Sequence, residues 1–254
     1  MIAVKSSNPA FRGSILKGNS SSLTHENQMS LTGAINKTSI LLGLLLISGG
    51  FTFSMFYNTT PETLSPILMP VIAISGIGAF VVALITIFKP TTSPITAPIY
   101  ATLEGAFLGV LTCFIDMMYP GIATQAIMIT FSILFSMLFL YRSGYIKVTE
   151  KFKAGLFAAI MGIFLVYMTS WILSWFNIYI GAVYGGGLFA IGFSLFVCVI
   201  ASLFLVLDFY QIDEAVKHGA PKYMEWYCAF SLMLTLVWIY VEVLRLLAIL
   251  RGRN

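Results

Sequence analysis

Long uninterrupted apolar runs dominate the chain, and within them apolar and polar positions do not alternate. Each run has about 20 residues or more, which is the length that an α-helix needs to cross the bilayer core. A soluble helix would show a polar face to water, and a barrel strand would alternate. The pattern therefore predicts an all-α integral membrane protein, a bundle of seven transmembrane helices. The predicted spans are residues 38–57, 66–88, 95–115, 121–141, 154–176, 182–209 and 226–250.

Composition supports this fold class. Apolar residues make up 59% of the 254 positions and charged residues only 9%, whereas soluble domains contain about 25% charged residues. The chain lacks the polar surface of a soluble protein, so its first expected partner is the lipid bilayer. No nucleic-acid partner is expected.

The amino-terminal segment differs from the rest of the chain. Residues 1–34 are mostly small or polar and show no periodicity, which predicts a mobile cytoplasmic tail before a membrane domain of residues 35–254. No short apolar stretch with a cleavage site precedes the first span. We expect that span to act as an uncleaved insertion signal.

The basic residues predict the orientation. With the N-terminus in the cytoplasm, eleven Lys and Arg residues fall on the inner side and three on the outer side, a strong positive-inside bias. The three exceptions lie at the C-terminus, which seven crossings place outside. Either the count of seven is right and this tail is tolerated, or the last helix re-enters. The eleven inner residues are Lys5, Arg12, Lys17, Lys37, Lys89, Arg142, Lys147, Lys151, Lys153, Lys217 and Lys222, and the three outer ones are Arg245, Arg251 and Arg253.

Signs of enzymatic chemistry are missing from the spans. His25 lies in the tail and His218 in a loop, so the sequence has no HExxH zinc site. Cys113, Cys198 and Cys228 lack CxxC spacing and fall within spans, where free cysteines pack as small hydrophobes. No nucleophile, base and orienting group come together, so we expect neither an enzyme nor a bound cofactor.

Carboxylates inside the spans are the most informative residues. A charge at mid-membrane costs roughly 2.5–3.5 kcal/mol on insertion scales and so tends to face the bundle interior. Glu104, Asp208 and Glu242 lie well inside predicted helices and are candidates for ion binding or gating. The alternative is a neutral acid, hydrogen-bonded for packing. The other acids are expected to be solvated charges in the tail, loops or helix ends: Glu26, Glu62, Asp116, Glu150, Asp213, Glu214 and Glu225.

Depth along the helices suggests which acids meet. At about 1.5 Å per residue, Glu104 lies roughly 13 Å and Asp208 roughly 8 Å from the inner face. Their side chains can meet if their helices are neighbours. Glu242 lies roughly 24 Å up the last helix, too far to touch Asp208. One acid near each end of the bundle could mark a path between the two faces.

Several segments resemble the Bax inhibitor family of seven-helix proteins. The most specific is residues 202–212, Ser-Leu-Phe-Leu-Val-Leu-Asp-Phe-Tyr-Gln-Ile, followed by His218-Gly219 and a final apolar helix. Residues 7–10 (Ser-Asn-Pro-Ala) and 236–247 (Leu-Val-Trp-Ile-Tyr-Val-Glu-Val-Leu-Arg-Leu-Leu) are similar to the bacterial YccA-like branch. The resemblance covers about residues 30–250. It implies a bacterial inner (plasma) membrane protein.

The resemblance also implies an activity, a pH-sensitive calcium leak. In such proteins two aspartates on the sixth and seventh helices share a proton or a hydrogen bond and hold the pore closed. Asp208 matches the first aspartate. It begins the Asp-x-x-Gln-Ile segment, in which Gln211 is the glutamine. Thr235 stands where relatives have the second aspartate. Some relatives also carry a group of basic residues after the second helix, and here Lys89 is what remains of it. Glu104 is the candidate for a substitute partner of Asp208.

We therefore expect a pH-sensitive cation (calcium) leak channel or exchanger that moves Ca²⁺ or H⁺. Carboxylate oxygens suit Ca²⁺, and acids facing a pore favour cations. Asp208 and Glu104 are the expected Ca²⁺ ligands and a coupled pair that titrates in two steps. The alternative is a non-conducting membrane partner that regulates another protein, such as a membrane protease or a stress pathway.

Overall fold

The computed structural model describes residues 28–57, 61–178, 185 and 187–253, with side chains in the second helix described from Pro70 onward. Most of the predicted amino-terminal tail lies outside the described residues. Within these described residues, seven long α-helices follow one another in chain order. They are α1 (Leu31–Tyr57), α2 (Pro61–Phe88), α3 (Ser93–Met118), α4 (Ile122–Arg142), α5 (Glu150–Ser174), α6 (Leu188–Lys217) and α7 (Met224–Arg251), with a 3₁₀ turn, Pro90–Thr92, between α2 and α3.

Each of these helices is long and apolar enough to span a membrane. Their lengths range from 21 to 30 residues, and the described residues form no named strand, only an isolated bridge between Gln28 and Pro221. The predicted seven-helix membrane bundle is confirmed. The last helix has 28 residues, roughly 42 Å of helix, which is enough for a complete crossing.

The helices differ most from the predicted spans at α1 and α6. α1 begins at Leu31, inside the segment assigned to the tail, because the Ser30 hydroxyl accepts a hydrogen bond from the Gly33 N–H (3.0 Å) and caps the helix. α6 covers Leu188–Lys217 rather than 182–209. Its last two turns are polar, so the apolar run ends before the helix does. Asp208 is therefore roughly 14 Å from the end of α6, farther than the apolar run suggested.

α7 lies at the centre of the bundle. It packs against α6, α1, α4 and α3, and α3 also packs against α1 and α2. α5 attaches mainly through α6. The side chains around α7 form the main core, including Leu205, Phe209, Leu236 and Ile239. Polar groups on α7 are consequently surrounded by neighbouring helices.

Glycines allow α1 and α3 to come into close contact. A Cβ built on Gly105 would clash with the Leu45 carbonyl oxygen, and one on Gly109 would clash with the Thr52 hydroxyl and the Gly49 carbonyl oxygen. Small residues of this kind let backbones approach and polar groups bond across helices in a membrane. The Thr52 hydroxyl uses this proximity and donates to the Ala106 carbonyl oxygen at 3.2 Å.

The bundle has two chemically different ends. We call the end where α1, α3, α5 and α7 begin the basic end, and the other the opposite end. Described basic residues at or near the basic end are Lys37, Lys89, Arg142, Lys147, Lys151, Lys153, Lys217 and Lys222. Arg245, Arg251 and Arg253 lie in the half toward the opposite end.

Candidate functional site

Asp208 joins α6 to α7 in the middle of the bundle. Its side chain is only 2% exposed. The Ser231 hydroxyl donates to Oδ1 at 2.9 Å, and the Thr235 hydroxyl donates to Oδ2 at 2.6 Å. Ser231 and Thr235 are four residues apart on α7, so they lie on one face. Both carboxylate oxygens are thus held by the same face of the central helix.

The apolar surroundings of Asp208 make a charge on its carboxylate costly unless hydrogen bonds stabilise it. Its neighbours along α6, Leu205, Val206, Leu207 and Phe209, are themselves buried. A buried carboxylate is costly unless hydrogen bonds satisfy it, and bonds to its ionised form are stronger than bonds between neutral groups. The two hydrogen bonds from α7 are therefore stronger to an ionised Asp208 than to a protonated one.

Glu104 does not join Asp208. It is half-buried on α3, and its carboxylate lies beside the Tyr100 hydroxyl one turn earlier on the same helix. Asp208 interacts instead with the two α7 hydroxyls. Among the described helices, α3 packs against α1, α2, α4 and α7, whereas α6 packs mainly against α7, α4 and α5. The two acids have similar depths, but the expected pair does not form, because α3 and α6 do not pack closely against each other.

Glu242 lies in a second buried cluster toward the opposite end. It is 4% exposed, and its carboxylate accepts hydrogen bonds from three helices. Ser194 on α6 donates at 2.7 Å, Tyr167 on α5 at 3.0 Å and Arg245 on α7 at 3.2 Å. As expected, Glu242 and Asp208 have separate partners. Glu242 lies about nine residues from the end of α7, roughly 14 Å.

Arg245 completes this cluster. Its guanidinium also donates to the Tyr167 hydroxyl and lies over the Tyr167 ring, 5.4 Å from the ring centroid. The Glu242–Arg245 ion pair is mostly removed from solvent, with the two side chains 5% and 23% exposed. Sequence reasoning placed Arg245 among the tail charges and missed this role. The three-residue spacing to Glu242 was the available signal.

Two acids expected to be solvated are buried instead. Glu225 is 1% exposed and accepts from the Ser30 N–H and hydroxyl, both at 3.0 Å, and from Lys222 at 2.9 Å. Asp116 is 7% exposed and accepts from the Ala123 N–H at 3.0 Å. The prediction was wrong for both residues because each carboxylate satisfies backbone N–H groups at the start of a neighbouring helix.

The remaining acids largely stay near the helix ends. Asp213 is half-buried and accepts from the Tyr141 hydroxyl at 2.7 Å. Glu150 and Glu214 each pair with a lysine three residues later. Glu26 and the side chain of Glu62 lie outside the described residues.

The family resemblance singles out three further residues: Thr235, Lys89 and Gln211. Thr235 is buried and bonded to Asp208, as described above. Lys89 and Gln211 are exposed near the basic end, so neither contributes to the Asp208 link in this structure. No group of three or more His, Cys, Asp or Glu side chains forms a metal cluster in the described part of the chain. The cysteines Cys113, Cys198 and Cys228 are buried and free.

Seven apolar helices around buried acids define a multi-pass membrane protein in contact with the lipid bilayer. The family model described as Bax inhibitor 1 like matches residues 8–252, and the chain belongs to that family. The predicted family is confirmed, while the YccA-like branch stays a prediction. No curated protein and no solved structure gave a significant match.

Proposed function

We propose that this protein is a pH-sensitive cation leak channel or exchanger, with Ca²⁺ as the transported ion and Asp208 as the gating carboxylate. The observation that carries the proposal is the buried Asp208 carboxylate, which holds α7 through Ser231 and Thr235. Membership in the Bax inhibitor 1 like family supports it. In this proposal the chain is a transport protein and not an enzyme.

The gate works through the strength of the two hydroxyl contacts. While Asp208 is ionised, Ser231 and Thr235 donate charge-assisted hydrogen bonds that hold α6 against α7 and keep the basic half closed. Protonation leaves weaker, neutral hydrogen bonds and loosens the contact. The closed state is therefore favoured at higher pH, and flux rises as the pH falls and Asp208 takes up a proton.

A single carboxyl group controls this gate. The resemblance implies a pair of aspartates sharing one proton, but Thr235 contributes a hydroxyl donor to Asp208 instead of a second acid. The bonds described for Asp208 come from hydroxyls and not from a cation, whereas Glu242 is paired with Arg245. The proposed pH response therefore follows the uptake of one proton rather than the two steps of a coupled pair.

Ion flux into liposomes tests the proposal directly. The purified protein is reconstituted into liposomes that contain a Ca²⁺ indicator, and flux is measured over a series of pH values against protein-free liposomes. We expect protein-dependent Ca²⁺ entry that increases as the pH is lowered. A requirement for an opposing proton gradient would identify an exchanger rather than a leak. Protein-dependent flux missing at every pH would contradict the proposal and favour the non-conducting regulatory partner.

We further propose that the basic end faces the cytoplasm of a bacterial inner membrane, on the strength of its excess of lysines. Reporter fusions after Ser143, at the basic end, are expected to give a cytoplasmic signal. Fusions after Pro120, in the turn between α3 and α4, are expected to give an outer signal. Both fusion points lie in described turns. The reverse pattern would invert the orientation of the gate.

A further inference from the structure

A cleft between α1 and α4 is separate from the carboxylates discussed so far. It has a volume of about 540 Å³, within the range of about 300–1,000 Å³ that is usual for small-molecule sites. Residues of α3 and α7 also line it. We call it the α1–α4 cleft. Its lining runs from Leu42 to Tyr57 along α1 and includes Gly50, Ile127 and Phe131, but neither Asp208 nor Glu242.

The cleft opens on the side of the bundle. Gly50 and Ile127, on either side of it, are exposed on the outer surface of the helices, where lipid surrounds a membrane protein. Most of the lining is aliphatic, aromatic or glycine. A molecule dissolved in the bilayer can therefore enter sideways with an apolar chain.

One end of the cleft is polar. Asp116 lies there, and of the described residues that line the cleft it is the one with a charge. One turn earlier on α3, the Thr112 hydroxyl is hydrogen-bonded to the Tyr240 hydroxyl at 2.8 Å. Asp116 Oδ1 accepts one backbone N–H, from Ala123. A carboxylate can accept several hydrogen bonds, so this contact leaves capacity for a ligand.

Arg251 and Arg245, two of the arginines toward this end, have other partners. Arg251 reaches the turn between α3 and α4, but its guanidinium donates to the Pro120 carbonyl oxygen at 2.6 Å and to Gln125 Oε1 at 3.0 Å. Arg245 belongs to the Glu242 cluster. Asp116 thus gives the cleft a negative charge at the end of an apolar channel, and a buried charge of this kind is stabilised by an opposite charge.

We propose that the α1–α4 cleft binds an amphiphilic amine, a molecule with one apolar chain and one positively charged nitrogen. The chain lies between α1 and α4, and the nitrogen donates to the carboxylate of Asp116 beside the hydroxyl groups of Thr112 and Tyr240. Ca²⁺ is a poor occupant because it takes six to eight oxygen ligands, and the cleft offers one carboxylate. A zwitterionic phospholipid would bring its phosphate close to the same carboxylate, where like charges repel.

Photolabelling with a matched pair of probes tests this site. The full-length protein in phosphatidylcholine nanodiscs is exposed to a diazirine-bearing dodecylamine or to the corresponding dodecanol, and labelled residues are located by mass spectrometry. We expect the amine to label residues that line the cleft, and the alcohol to label them far less. Asp116→Asn keeps an acceptor for Ala123 and should reduce amine labelling about tenfold, the effect of losing a hydrogen bond to a charged group.

Two glycines of α1 provide a matched control. A Cβ added at either Gly50 or Gly43 would have no atom within 4 Å, and of the two glycines Gly50 lines the cleft. Gly50→Leu should therefore abolish cleft labelling, and Gly43→Leu should leave it as in the wild type. If Gly50→Leu fails to fold, the comparison of Asp116→Asn with the wild type still shows whether the amine binds in the cleft.

Three results would overturn the proposal. Equal labelling by amine and alcohol would mean that the apolar walls bind any chain. Undiminished labelling in a folded Gly50→Leu or Asp116→Asn protein would place the probe elsewhere. Loss of amine labelling when phosphatidylethanolamine is added to the nanodisc would identify a membrane lipid as the occupant. These outcomes do not depend on ion flux, so they stand apart from the test of the proposed channel.

Discussion

Asp208→Asn is expected to make Ca²⁺ flux independent of pH while the bundle stays folded. Asparagine keeps the shape of aspartate and one carbonyl acceptor for the hydroxyls of Ser231 or Thr235, but it has no proton to gain or lose over this range. The α6–α7 contact is then fixed at the strength of a neutral hydrogen bond. Flux at high pH should rise toward the level that the wild type reaches at low pH.

The measurement is the liposome assay over the full pH series, with size-exclusion profiles to verify folding. Asp213→Asn is the matched control, since it makes the same substitution on the same helix at a carboxylate bound to Tyr141. That variant should keep the wild-type pH response. A wild-type pH response in Asp208→Asn would contradict the gating role, even if the protein conducts.

Glu104→Gln separates two accounts of the gate. If the two acids were the coupled pair expected from the sequence, the double variant Glu104→Gln with Asp208→Asn would change ion flux little more than either single variant does. The structure places Glu104 beside Tyr100 and Asp208 beside Ser231 and Thr235. Sites without shared partners usually act independently, so the effects of the two substitutions on flux should add.

The fold was predictable because the run length that crosses a bilayer is a strong physical constraint. Helix ends were less predictable, as α6 shows. Its apolar run ends near Phe209, yet the helix continues to Lys217 because polar residues at a membrane surface support a helix as well as apolar ones do. The extra turns place Asp208 farther from the end of its helix than the run suggested, and its carboxylate meets Thr235 on α7.

The Glu104–Asp208 hypothesis was wrong for a related reason. Sequence gives the height of a residue along its helix, through the rise of about 1.5 Å per residue, but it does not give the order of helices around the bundle. α7 occupies the centre, and α3 and α6 both pack against it without packing closely against each other. Ser231 and Thr235 could have been found instead, since their four-residue spacing puts two hydroxyls on one helix face beside a buried acid.

Glu225 and Asp116 show a second limit. Both acids stand near helix ends, where a charge is usually solvated, and both are buried because they accept N–H groups from the start of another helix. The partner helix of such a cap cannot be identified from a single sequence. A cap that lies next to its own helix can be predicted from the sequence. Ser30, whose hydroxyl accepts from the Gly33 N–H, is such a cap at the start of α1.

Arg245→Ala is expected to cause the largest loss of stability of any substitution at a charged residue in the opposite half. It leaves Glu242, which is 4% exposed, as a buried carboxylate without the cation in its ion pair. Breaking a fully buried pair costs about 3–5 kcal/mol. Because Arg245 is 23% exposed, solvent screens part of that cost, and we expect about 2–3 kcal/mol.

The effect is measured as a fall in the thermal midpoint of the protein in detergent, with Arg253→Ala, an exposed arginine at the same end, as the control. Adding Glu242→Gln to Arg245→Ala should recover much of the loss, since it removes the buried charge that the arginine offsets. Tyr167 and Ser194 can still bond to the glutamine, so α5 stays attached to α6 and α7. A midpoint for Arg245→Ala equal to that of Arg253→Ala would mean that the ion pair contributes nothing to the bundle, and that hydroxyl donors alone stabilise Glu242.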